Sequence, residues 1–65
     1  MSTRARMLAL LRELEDNPRS MVSLVETHDR RTITAAQKQG LVMVYAPQMA
    51  MLTEQGKAYL TLEEV

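Results

Sequence analysis

Residues 30 to 38, Arg-Arg-Thr-Ile-Thr-Ala-Ala-Gln-Lys, set three bases, two threonines and a glutamine around Ile33 and two alanines, with no acid among them. As a helix, this stretch turns Ile33 and Ala36 inward with Ala35 alongside. Arg30, Arg31, Thr34, Gln37 and Lys38 then point outward, and positions 30, 34 and 37 or 38 share one face. Such side chains suit duplex DNA. Arginine offers a planar fork to guanine edges, glutamine reads adenine, and threonine or lysine can hold phosphate. These five residues are the candidate DNA contacts, and the competing reading is an ordinary solvated helix face.

Two further arginines, Arg4 and Arg6, lie near the start of a first helix, where exposed N–H groups favour anions. They are possible phosphate contacts, or solubilising residues at a frayed end. His28 has Glu26, Thr27 and Asp29 as sequence neighbours, but a catalytic relay needs a nucleophile and an orienting group converging in space. No serine elbow, glycine-rich phosphate loop or paired-carboxylate cleft accompanies it, so no enzyme is expected and His28 reads as a turn or cap residue. With one histidine and no cysteine, the sequence points to no metal, no cofactor and no disulfide.

The elements that must position these residues are short. Ser2 or Thr3 caps a first helix over 2–16, with Met7, Leu8, Leu11 and Leu14 at helical spacing and Leu10 widening the stripe. This helix is charged against its own dipole: Arg4 and Arg6 sit at its positive end, and Glu13, Glu15 and Asp16 at its negative end. Asn17 as cap and Pro18 at the first helical position begin a second helix over 18–27. Thr27-His28-Asp29 is a turn, and Asp29 caps the third helix, 30–39. Gly40 follows at the position where a helix ends in a left-handed residue. "LVMVYA" and "MAML" around Pro47-Gln48 predict a β-hairpin over 41–52, and Thr53 caps a short last helix over 54–62.

Sixty-five residues make a single domain, 1–65, with 46% apolar and 25% charged residues and zero net charge. A chain this small buries only about 60% of its unfolded surface and gains much from association. The apolar width of the first helix therefore predicts a homodimer through Met7, Leu10 and Leu14. Six methionines fill the core or form an adaptable partner surface. The longest uncharged run, 39 to 53, is too short and too polar to span a bilayer. The opening "MSTRARMLALL" is interrupted by Arg12 and Glu13 before any cleavage site. A soluble cytoplasmic protein is the expectation.

Two stretches resemble the winged helix-turn-helix family. "TITAAQKQGLV" is similar to the end of that family's recognition helix running into the first wing strand. "MLTEQGKAYL" resembles the strand and closing helix that follow the wing, and the likeness extends over roughly residues 5 to 60. It implies a mostly α domain with a small β-hairpin: three helices, a wing and a short C-terminal helix. It further implies a small transcriptional regulator whose third helix enters the major groove of duplex DNA, with dimers pairing over two half-sites. Two departures stand out. Ala36 occupies a position usually held by a large aliphatic residue, and the wing loop Ala46-Pro47-Gln48 contains no base. With the neutral net charge, that loop supports an alternative: a protein-protein interaction module on the same scaffold, without DNA binding.

Overall fold

Ser2 opens the first helix, its Oγ accepting a hydrogen bond from the Ala5 amide at 3.1 Å and satisfying one of the donors a helix start leaves unpaired. A computed structural model of the chain describes residues 2–64. In it α1 runs Thr3–Leu14 and stops before the acids at 15 and 16. Met7, Leu10, Leu11 and Leu14 all face inward, Leu10 and Leu11 with no exposed surface. The wide stripe that predicted a dimer interface through Met7, Leu10 and Leu14 is thus used inside one chain. The third and fourth helices and the last strand of the sheet pack onto it, so three neighbours rather than one demand apolar width.

The arginines at the start of α1 also have an internal explanation. Arg4 Nε donates to Glu63 Oε1 at 2.9 Å, and its Nη2 donates to the Glu63 carbonyl at 3.3 Å. Arg6 Nη1 lies 3.5 Å from Asp29 Oδ2. Tertiary ion pairs offset the unfavourable dipole placement, although exposed pairs of this kind contribute only about 0.2–1 kcal/mol each.

Residues 17–20 do not begin a helix, contrary to the expected start at Pro18. A two-residue strand, β1 (Arg19–Ser20), pairs antiparallel with residues 50 and 49. The Met21 amide donates to the Gln48 carbonyl at 2.9 Å and holds the chain in the sheet up to that point. Only then does α2 (Met21–Thr27) start, capped by Ser20, whose Oγ accepts from the Ser23 amide at 3.2 Å. His28 closes α2, its amide bonded to the Leu24 carbonyl at 2.8 Å.

After α3 (Arg30–Lys38) the strands β2 (Val42–Tyr45) and β3 (Met49–Leu52) form the expected hairpin around residues 46–48, where the Ala46–Pro47 peptide is cis. The sheet order is β1-β3-β2 and every pairing is antiparallel. Val42 faces Leu52 and Val44 faces Ala50 on the inner side, while Met43 faces Met51 and Tyr45 faces Met49 on the outer side. The last helix, α4 (Glu54–Glu64), continues past the expected end at 62 and buries Leu60.

The described residues are therefore mostly helical, four helices with a small three-stranded antiparallel sheet. Leu10, Leu11, Leu24 and Leu60 are the largest fully buried side chains, each contributing about 1.5–3 kcal/mol by leaving water. No helix among the described residues is long and apolar enough to cross a membrane.

Candidate nucleic-acid interface

Two fixed ends hold α3. At the start, Asp29 Oδ1 accepts from the Arg31 amide at 2.8 Å. At the end, the Gly40 amide donates to the Gln37 carbonyl at 3.1 Å and the Leu41 amide to the Ala36 carbonyl at 2.9 Å. That pair of bonds, with Gly40 at φ +74°, is the Schellman closure that a glycine makes without a Cβ penalty. Ile33, Ala36 and also Thr32 are buried. Thr32 lies outside the inward set of Ile33 and Ala36 that periodicity assigns, and joins it in the structure.

The end of α3 is clamped a second time. Thr53 Oγ1 donates to the Gly40 carbonyl at 2.6 Å and accepts from the Gly56 amide at 3.0 Å. One hydroxyl thus ties the exit of α3 to the start of α4. Its capping half follows from the sequence, but the bond to Gly40 spans 13 positions and has no local signature. Gly56 was missed altogether. A Cβ there would lie 2.2 Å from the Leu41 carbonyl oxygen, so the missing side chain lets α4 settle onto the α3–β2 junction.

Arg30, Arg31, Thr34, Gln37 and Lys38 all project to solvent. Arg30 and Thr34 form a ridge between two shallow hollows. On one side, Gln37 joins them above an apolar floor of Met21, Val25 and Ile33, in a hollow of about 290 Å³. On the other, Arg31, Ala35 and Lys38 complete a second hollow. Arg30 to Gln37 covers about 10.5 Å of helix axis at 1.5 Å per residue, the span of about three base-pair steps.

The bases differ in how they are compensated. Arg4, Arg6 and Lys57 each face an acid. Arg30, Arg31 and Lys38 have no acid partner among the described residues, which leaves a patch of uncompensated positive charge on a neutral molecule. Of the two possible phosphate contacts on α1, Arg6 adjoins this patch: it lines one crevice with Thr3, Asp29, Arg31 and Ala35. Arg4 is held instead at the far end of α4 by Glu63.

His28 is half-buried, with Nε2 against Glu13 Oε2, and pins the α2–α3 turn to α1. Thr27 and Thr32 are the hydroxyls in the crevice beside it, and Thr27 Oγ1 donates to the Ser23 carbonyl at 3.5 Å, away from the imidazole. That arrangement fits a packing role better than nucleophilic chemistry. Among the described residues no group of three or more His, Asp or Glu side chains converges to hold a metal ion. The turn at residues 46–48 carries no base, and the hairpin's outer face is apolar. No protein-family model, curated protein or solved structure matches the chain.

Proposed function

We propose that this chain is a winged helix-turn-helix domain that binds duplex DNA, with α3 in the major groove, as a small cytoplasmic transcriptional regulator. The element order supports the fold assignment: a helix, a short strand, two helices joined by a tight turn, then a hairpin whose second strand pairs back onto the short one. The observation that carries the function is the uncompensated face of α3. Internal pairing neutralises three of the other bases, whereas Arg30, Arg31 and Lys38 stay exposed beside Thr34 and Gln37. In this reading Arg30, Thr34 and Gln37 address base edges, while Arg31 and Lys38, with Arg6 behind them, hold phosphates.

Fluorescence anisotropy with a labelled mixed-sequence duplex tests it. The wild-type chain binds, and R30A/R31A, with an unchanged circular dichroism spectrum, does not. Equal binding by that double variant would rule out α3 as the contact surface.

A second reading, a protein-protein interaction module on the same scaffold, is favoured by one observation. The hairpin presents Met43, Tyr45, Met49 and Met51 on its outer face and no base at its tip, so this wing is built for apolar contact rather than for phosphate.

A further inference from the structure

Hydrogen bonds to bases and phosphates leave one part of the α3 face unused, the apolar hollow of about 290 Å³ between α2 and α3. Two stripes build it. Met21 and Val25, four residues apart, share a face of α2, and Arg30, Ile33, Thr34 and Gln37 share a face of α3. Met21 is held in position, since its amide donates to the Gln48 carbonyl at 2.9 Å and it begins the helix that Ser20 caps. Met21 and Val25 are half-buried and line the wall, while Ile33, only 2% exposed, closes the bottom.

The two flanks of the Arg30–Thr34 ridge differ in chemistry. Arg31, Ala35 and Lys38 complete the other hollow, so that flank adds two bases and suits a phosphate. The α2 flank adds no base to Arg30; it adds Gln37 and the apolar side chains of Met21, Val25 and Ile33. A phosphate there would meet a single base and press its charge against apolar surface. An apolar group would displace water from Met21 and Val25 at a gain. The major groove displays one such group, the C5-methyl of thymine. That methyl lies at the outer edge of its base pair, towards the backbone of its own strand. A helix whose central ridge reads base edges therefore meets it on a flank.

We propose that this hollow is a thymine-methyl subsite: with Arg30, Thr34 and Gln37 at the base edges, the C5-methyl of a thymine enters between α2 and α3 and rests on Met21 and Val25. The inference rests on the DNA-binding reading and deepens it by naming a base that the chain selects. It makes Met21 and Val25 specificity-determining residues, although neither carries a polar group. Uracil presents the same hydrogen-bonding edge as thymine without the methyl, so it leaves the apolar wall wet. The difference is one buried methyl, about fourfold in affinity.

Anisotropy titrations test it with two labelled duplexes of one alternating A·T sequence, the first made with thymine and the second with uracil. Every register of α3 then faces either the methyl or its absence. The wild type should bind the thymine duplex about fourfold more tightly. V25A and M21A, each with a wild-type circular dichroism spectrum, should keep their binding to the uracil duplex and lower the preference to less than about twofold. V22A, at a position 61% exposed outside the hollow, should keep the full preference. A wild type that binds the two duplexes equally overturns the subsite and leaves DNA binding standing. So does a preference that survives in both V25A and M21A, because it then arises from the shape of the duplex. Binding to neither duplex overturns the subsite and the DNA-binding reading together.

Discussion

Replacing Gly56 by alanine probes the joint that holds α3 in place. An alanine Cβ would stand 2.2 Å from the Leu41 carbonyl oxygen, 3.1 Å from its carbon and 2.7 Å from Leu52 Cδ1. The carbonyl cannot swing aside freely, because it accepts from the Thr53 amide at 3.1 Å while the Leu41 amide closes the Schellman turn at 2.9 Å. α4 must therefore move away by roughly 1 Å, enough to loosen a close-packed interior. Overpacking of this kind costs about 1–3 kcal/mol, and loss of the Thr53–Gly40 bond adds about 0.5–1.5 kcal/mol. The better helix propensity of alanine returns about 1 kcal/mol. The net expectation is a loss of about 2 kcal/mol, or a melting point about 8–16 °C lower for a domain of this size.

Gly40→Ala gives the comparison. There the strain is the positive φ of +74°, and the nearest clash is with the flexible end of Gln55 at 2.6 Å, which can rotate away. Its cost is about 1 kcal/mol. Thermal and urea unfolding followed by circular dichroism measures both. A Gly56→Ala chain within about 0.5 kcal/mol of wild type, or one more stable than Gly40→Ala, refutes the argument.

Substitutions at three further positions address the other joints. Thr53→Val removes the hydroxyl that serves both Gly40 and Gly56 and should cost about 1–2 kcal/mol, while Thr53→Ser keeps most of the stability; equal losses in the two would mean the hydroxyl contributes nothing. Leu10→Ala, at a fully buried position on α1, should cost about 2–5 kcal/mol by opening a cavity, and it should lower stability at every protein concentration, as a core residue does. Arg4→Ala breaks an exposed pair with Glu63 and should change stability by less than about 1 kcal/mol in a urea titration.

Much of this architecture is legible in the order of residues because the decisive signals are local. Asp29 before Arg30, Gly40 after Gln39 and Thr53 before Glu54 each mark a helix end by their own chemistry, and the structure places ends there. Asn17-Pro18 misled because it satisfies the local rule for a helix start. The competing demand came from residues 48 to 50, which draw 19 and 20 into the sheet. The stripe on α1 misled in a similar way, since its width reports how many neighbours pack on the helix and not whether any belongs to another copy. The outward face of α3 was readable from periodicity alone. Its lack of acid partners was not, because Arg6 reaches Asp29 across 23 positions and Arg4 reaches Glu63 across 59.

The measurement that tests the DNA-binding reading most directly is the salt dependence of the chain's affinity for duplex DNA. On that reading Arg31 and Lys38 together would neutralise at least two phosphates, so the slope of log affinity against log salt should be about −1.8 or steeper, and binding should weaken about tenfold between 50 and 200 mM salt. R31A/K38A should flatten that slope. No binding at about 20 mM salt, where screening is weakest, or an affinity that does not change with salt, contradicts the account.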